Sequence, residues 1–178
     1  MSNSLKMLFN EHDVITKAAY LAKNAESLIG VNDEEYELTI SELIRFFRVY
    51  ADQYHHYKEE EILFPEMAKK SEMLAEGILK EMLDNHEFFR ETLREIESNL
   101  KDQNYPEVAR GINEYTEALL DHIAVENEEL FHMAYSLFTE DELDKIYFRF
   151  IDLDSVLGES KKKDFTELLK TLNIHSEV

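Results

Sequence analysis

The chain has 178 residues, no cysteine, 39 acidic against 19 basic side chains, and a formal net charge of −20. Without cysteine, disulfide scaffolds, thiolate metal sites and cysteine nucleophiles are excluded, and the strong negative charge disfavours nucleic acid and anionic membranes as partners. No stretch of about 18 uncharged apolar residues occurs and no signal-peptide pattern opens the sequence, so we expect a soluble cytoplasmic protein without a membrane partner.

Helical periodicity runs through most of the chain, which only four glycines and two prolines interrupt. The predicted long helices cover about residues 4–29, 33–64, 73–102 and 106–137. Gly30 ends the first, and Pro65 is expected to kink or end the second. Thr139 and Glu142 form a capping-box pattern that opens a shorter helix to about residue 157, and residues 165–172 add a last turn or two.

Four helices of similar length with short connections predict an all-α fold, an up-down-up-down four-helix bundle. We assign residues 1–138 to this bundle. Residues 139–178 form a C-terminal helical extension that we expect to pack on it.

Two stretches of the chain share one frame. HHYKEEEILF covers residues 55–64 and HIAVENEELF covers residues 122–131, and each begins with His-x-x-x-Glu and ends with Leu-Phe. Residues four apart on a helix lie on one face, so the histidine and glutamate of each stretch can reach the same ion. EHDVI at 11–15 and NHEFF at 85–89 each supply a further histidine, which gives one element on every predicted helix.

A helical wheel tests whether these polar residues face the core. With His122 at 0°, Glu126 falls at about 40°, and Tyr115 and Leu119 fall at about 20° and 60°. His86 and His12 also lie within apolar stripes. The candidate site residues are therefore His12, His55, Glu59, His86, His122 and Glu126.

The first stretch offers two adjacent histidines. On the wheel His55 lies on the side of Ile44 and Ala51, whereas His56 lies about 100° away. The alignment of the two stretches makes the same choice, since Glu59 and Glu126 both precede Leu-Phe. We predict that His55 and Glu59 are ligands and that His56 and Glu60 are turned away from the site.

A core of ion pairs built with Arg48 and Arg90 is one explanation for inward-facing carboxylates. A pair of metal ions accounts for the whole set more simply, because buried carboxylates need a positive partner and imidazole with carboxylate suits iron, zinc or copper. The ferritin-like pattern needs Glu-x-x-His on two helices, and this chain contains it once, at Glu129 and His132.

The order His, His-x-x-x-Glu, His, His-x-x-x-Glu resembles the hemerythrin-like family, also called the HHE cation-binding domain. The resemblance covers the predicted bundle. It implies a non-haem di-iron centre, oxo- or hydroxo-bridged and carboxylate-bridged, held by His12, His55, Glu59, His86, His122 and Glu126. In this resemblance Glu59 and Glu126 bridge the two irons.

The sequence departs from the oxygen-carrying members at two places. Arg90 stands four residues after His86, where those proteins place a further histidine, and Glu126 follows His122 by four residues instead of an aspartate by five. The expected site thus has four histidines instead of five. It looks closer to bacterial HHE proteins and to the di-iron proteins that repair iron–sulfur clusters, whose cysteine-bearing domain is missing here.

The expected activity is therefore reaction with dioxygen, nitric oxide or peroxide, or sensing of one of them, in the setting of oxidative or nitrosative stress. The alternative is a non-enzymatic iron or oxygen sensor that acts through a partner protein. The sequence leaves open whether the chain is an enzyme and whether it forms a homodimer.

Overall fold

The computed structural model describes residues 2–175, apart from the side chains at 156, 157, 159 and 173–175, and no strand occurs within that range. Seven helices are named here in chain order. They are α1 (Asn3–Asn24), α2 (in four stretches, Asp33–Phe46, Phe47–His56, Glu59–Leu63 and Phe64–Lys70), α3 (Glu72–Glu76), α4 (Ile78–Lys101), α5 (in three stretches, Tyr105–Val125, Glu126–Leu130 and Phe131–Leu137), α6 (Glu140–Leu157) and α7 (Glu159–His175).

The long helices begin where a polar side chain caps free backbone N–H groups. Ser2 accepts from Leu5 N–H and Asn32 accepts from Glu35 N–H. Thr139 and Glu142 form the expected capping box at the start of α6. Gly30, with φ 74°, allows the tight turn after α1, because a left-handed backbone carries little strain in glycine.

The four long helices form the predicted all-α bundle. Helix α1 packs on α2 and α5, and α4 packs on the same two helices. Only residues 102–104 separate α4 from α5, which makes these two neighbours antiparallel. The fold class expected from the sequence is confirmed.

Helix α2 does not end at Pro65, which was one of the two outcomes expected there. It continues through Pro65 to Lys70. The preceding turn is a widened π-turn in which Phe64 N–H donates to Glu59 O, five residues back. Since proline has no N–H to donate, a register change just before it lets the helix continue.

Two apolar clusters fill the interior. One, centred on Phe47, Phe89 and Tyr115, includes Phe165 of α7, and the other, around Leu8 and Phe131, includes residues of α6. Helices α6 and α7 thus share the core of the bundle. The division of the chain at residue 138 stays a prediction.

No helix within the described part of the chain is both long and apolar enough to cross a membrane.

Candidate metal centre

Five histidines and two glutamates meet in the bundle interior between the two apolar clusters. Each is at most 2% exposed. They are His12 of α1, His55, His56 and Glu59 of α2, His86 of α4, and His122 and Glu126 of α5.

These side chains form two groups that share one carboxylate. The first contains His12, His55, Glu59 and Glu126, and the second contains His56, Glu59, His86 and His122. Within each group, one ligand atom from every residue lies within 4.8 Å of the others.

Both glutamates also lie between the groups. Glu59 Oε1 is 3.5 Å from His55 Nε2, and its Oε2 is 3.7 Å from His86 Nε2. Glu126 Oε2 is 3.2 Å from His12 Nε2 and 3.3 Å from His122 Nε2. Each carboxylate therefore faces imidazoles of both groups, the arrangement needed to bridge two cations.

Each glutamate begins a π-turn. Phe64 N–H reaches back to Glu59 O, and Phe131 N–H reaches back to Glu126 O in the same way. A π-turn inserts an extra residue into the helical turn, and such turns occur frequently at functional sites. The shared frame of the two sequence stretches thus corresponds to a shared backbone distortion.

The prediction that His56 is turned away is wrong. Its ring lies in the second group, stacked on the His86 ring at 3.8 Å between centroids. The wheel failed because residues Phe47–His56 are π-helical, so the rotation per residue is smaller than the 100° assumed. His55 and His56 consequently both point inward, one toward each group.

The histidine nitrogens that point away from the cluster have their own partners. Nδ1 of His12 lies 2.8 Å from Asn127 Oδ1, Nδ1 of His55 lies 2.9 Å from Glu11 Oε2, and Nδ1 of His86 lies 2.7 Å from Glu60 Oε1. These contacts fix the ring orientations and leave Nε2 facing the cluster. Such outer contacts are typical of metal-binding histidines.

Glu60 is thus outside both groups and instead holds the His86 ring through Nδ1. It lies between His86 and Arg90, whose Nη2 is 2.6 Å from Glu60 Oε1. Burial would raise the pKa of Glu60, but the hydrogen bonds from His86 and Arg90 outweigh burial and lower it. Glu60 is thus an ionised acceptor for the His86 ring.

Burial controls the protonation of the ligand set. It lowers the pKa of His55 to about 4 and lowers the pKa values of His56 and His86, so these rings are neutral at neutral pH and can donate a lone pair to a cation. Burial, together with the charge of Glu126, raises the pKa of Glu59 well above its ordinary value. For Glu126 burial acts in the same direction, but His122 and His12 outweigh it and the pKa is lowered.

The cluster also holds most of the buried polar side-chain atoms that lack a hydrogen bond in residues 2–175. These atoms are His12 Nε2, His55 Nε2, His56 Nδ1 and all four carboxylate oxygens of Glu59 and Glu126, with Tyr36 Oη elsewhere in the chain. Leaving so many donors and acceptors unpaired in one place is costly. A bound cation would satisfy them, so the residues present fit a metal.

Three supporting residues could not be recognised from the sequence pattern. Glu11 and Lys58 are buried beside His55, and Asp154 of α6 contacts Lys58. Glu11 and Lys58 adjoin the predicted ligands, but nothing in the spacing indicated that their charges turn inward. Asp154 lies outside the predicted bundle.

A cavity of about 230 Å³ leads from the surface to the second group. His56, Phe89 and Tyr115 lie along it, together with Asp52 and Arg90. His56 is thus the residue of the cluster that this cavity reaches.

Comparison with known proteins agrees with this geometry. Residues 3–134 match the hemerythrin HHE cation binding domain, which is well over half of the chain and includes all seven clustered residues. Searches among curated proteins and among solved structures gave no match. The chain belongs to the hemerythrin HHE cation-binding family.

Proposed function

We propose that this protein binds two iron ions, one in each group, and that the iron pair reacts with dioxygen, nitric oxide or peroxide. The observation that carries the proposal is the sharing of Glu59 between two buried four-residue groups. His12, His55, Glu59, His86, His122 and Glu126 are ligands in this proposal, as the sequence indicated, and His56 is added to them.

The donor set favours a transition metal over calcium or magnesium, and iron is the transition metal that the family resemblance implies. A site with five imidazoles and two carboxylates suits iron, zinc, copper or nickel, whereas calcium and magnesium prefer oxygen ligands alone. Two shared carboxylates suit a pair of ions of equal charge held close together. A bound iron pair would supply electrons for the reduction of a small oxidant and an open position where it binds.

Residues of this chain orient the ligand histidines and control the proton on Glu59. Glu11, Glu60 and Asn127 hold the Nδ1 atoms of three ligand histidines, so that their Nε2 atoms stay aimed at the cluster. Glu59 must lose its proton when a cation binds, because only the carboxylate can coordinate through both oxygens. The apolar clusters on either side exclude bulk water from the groups.

The two groups differ in the number of imidazoles. The first has two imidazoles and the second has three, while both face Glu59 and Glu126. The group with fewer protein ligands leaves more room for an external molecule.

Burial limits what can reach the centre. Every residue of the cluster is at most 2% exposed, and of these residues the cavity of about 230 Å³ reaches His56 alone, so a diatomic gas or peroxide approaches the centre more readily than a large metabolite. This supports a small-molecule ligand and does not distinguish among the three named.

Sensing is the alternative function. One observation favours it. Asp154 lies beyond the end of the family match and contacts Lys58, which is buried beside the candidate metal centre. Occupancy of the centre could then alter how α6 packs. Limited proteolysis of the metal-free and iron-loaded protein would reveal such a change, and an enzyme would instead show catalytic turnover of peroxide, oxygen or nitric oxide.

Anaerobic titration of the metal-free protein with ferrous iron tests the proposal. We expect saturation at about two irons per chain and, after exposure to oxygen, a near-ultraviolet absorption band of a bridged diferric pair. A protein that takes up no iron, or whose iron-loaded form reacts with none of the three small molecules, contradicts it. His132→Ala, which changes an exposed histidine, is the matched control.

A further inference from the structure

Lys58 has no exposed surface and lies two residues after His56. Its ammonium group donates to Glu11 Oε1 and lies 2.8 Å from Asp154 Oδ1. The ring of Tyr54 lies beneath it, 3.6 Å from Nζ to the ring centroid. A buried ammonium group is tolerated only when anionic partners surround it, and here the two carboxylates come from opposite ends of the chain.

Glu11 connects this lysine to the metal cluster. One carboxylate oxygen accepts from Lys58, and the other lies 2.9 Å from His55 Nδ1. The ammonium group of Lys58 can only donate, so Glu11 accepts from it as a carboxylate. A carboxylate oxygen also faces His55 Nδ1, so His55 donates through Nδ1 and presents Nε2 to the first group.

Asp154 connects the C-terminal helices α6 and α7 to the contacts among Lys58, Glu11 and His55. Tyr54 donates its hydroxyl to Asp154 Oδ1 at 2.5 Å, and Lys162 of α7 donates to Oδ2 at 2.7 Å. The family match ends at residue 134, so Asp154 belongs to a part of the chain that the family domain does not include.

We propose that Asp154 is a positioning residue for the metal centre. Acting through Lys58 and Glu11, it holds the His55 imidazole in the orientation and tautomer that present Nε2 to a cation. The inference rests on the proposed metal-binding function and adds to it that the C-terminal helix α6 is part of the metal site.

The charges along the contact explain why Asp154 matters. Lys58 lies between two carboxylates, and Glu11 lies between the ammonium group and the imidazole. Without Asp154, Glu11 alone would balance the buried ammonium group, and Lys58 would move closer to Glu11. The hydrogen bond from His55 Nδ1 to Glu11 would then weaken, and the His55 ring would no longer be held in one tautomer.

Linkage makes the effect reciprocal. If packing of α6 favours metal binding in the first group, metal binding must favour packing of α6 by the same free energy. A purely structural ion pair between Lys58 and Asp154 would show no such relation, since it would stabilise the metal-free and metal-bound protein equally.

The test uses the full-length chain with Asp154→Asn, and Asp152→Asn as the control, because Asp152 lies on the same helix and is exposed. Anaerobic cobalt(II) titration measures the affinity of each group, and the visible absorption of bound cobalt reports its coordination. We expect Asp154→Asn to weaken one of the two cobalt sites by about 10- to 100-fold and to alter its spectrum. Asp152→Asn should behave as wild type, and Asp154→Glu should recover part of the affinity.

A second measurement does not require metal. In the metal-free protein, nitrogen-15 chemical shifts of the His55 ring report which nitrogen carries the proton, and we expect Asp154→Asn to shift them toward a mixture of tautomers. Should Asp154→Asn fail to fold, Tyr54→Phe removes one hydrogen bond to Asp154 while keeping its charge, and a smaller change of the same kind is expected.

Unchanged cobalt binding and unchanged His55 shifts in the Asp154 variant, with only lower stability, overturn the inference and leave the proposed function intact. A wild-type protein that binds neither cobalt nor iron overturns the proposed function itself. The two failures are thus distinguished by the wild-type titration.

Discussion

The imidazole rings of His56 and His86 lie face to face, with centroids 3.8 Å apart and planes 12° from parallel. Burial lowers the pKa values of both rings, and repulsion from a charged His86 would lower the pKa of His56 further. His56 thus supplies a fifth inward-facing imidazole, in a chain that has Arg90 where oxygen-carrying relatives were expected to have a histidine.

Replacing His56 with alanine should remove one metal site. The variant His56→Ala keeps His86, His122 and the shared Glu59 in the second group but removes one of its three imidazoles. We therefore expect the iron content to fall from about two to about one per chain. Metal analysis after anaerobic loading measures it. If His56 were outside the site, as the helical wheel predicted, the iron content of His56→Ala would stay at about two per chain. The control His132→Ala, which changes an exposed histidine, should also keep two irons.

Much of the bundle and six of the seven clustered residues could be predicted from the sequence, because an apolar stripe with period 3.6 shows which side of a helix faces the core. His56 could not, since the wheel assumes α-helical rotation and residues Phe47–His56 are π-helical. The contact of Lys58 with Asp154 depends on how α6 packs over α2, and no local spacing encodes the meeting of residues so far apart in the chain.

Replacing Glu59 with glutamine should stabilise the metal-free protein and abolish its response to metal. Because burial raises the pKa of Glu59, the folded state holds a proton that the unfolded state releases above pH 4.5, and this costs stability as pH rises from there. The variant has no such cost. We expect Glu59→Gln to be more stable than metal-free wild type at pH 7, by on the order of 1–3 kcal/mol.

Urea unfolding of both metal-free proteins between pH 5 and pH 7 measures this difference, which should grow with pH. Iron or cobalt should then raise the unfolding midpoint of wild type and leave that of the variant nearly unchanged. A difference independent of pH would show that Glu59 holds no extra proton in the folded state, so that its pKa is not raised there.

Gly111 of α5 packs directly against Ile96 of α4. A Cβ atom there would lie 2.8 Å from Ile96 Cγ1, which is shorter than van der Waals contact. Gly111→Ala should therefore destabilise the protein by about 1–3 kcal/mol through overpacking, partly offset by up to about 1 kcal/mol of helix propensity. Urea unfolding measures the net loss.

Ile96→Ala provides the test of that cause. Alone it should cost about 2–5 kcal/mol, because Ile96 is buried. Combined with Gly111→Ala it should cost less than the sum of the two single variants, since the new methyl group occupies space that the isoleucine leaves. Strict additivity would mean that the two positions do not compete for the same volume.

Replacing Arg90 with alanine should speed access to the centre at little cost in stability. The Arg90 side chain is 31% exposed, lies 2.7 Å from Asp52 Oδ1 and 2.6 Å from Glu60 Oε1, and lines the cavity that reaches His56. Ion pairs with this much exposure contribute about 0–1 kcal/mol. Removing the side chain widens the cavity, so we expect azide to bind the oxidised iron-loaded protein several-fold faster, measured by stopped-flow absorption.

Arg94→Ala separates access from general charge effects. Arg94 lines the same cavity and carries the same charge, but its side chain is 60% exposed and pairs with Glu87, away from Asp52 and Glu60. If the charge of the arginines attracts the anion, both variants should bind azide more slowly. If Arg90 obstructs the path, only Arg90→Ala should bind faster, and equal rates in all three proteins would place the access route elsewhere in the bundle.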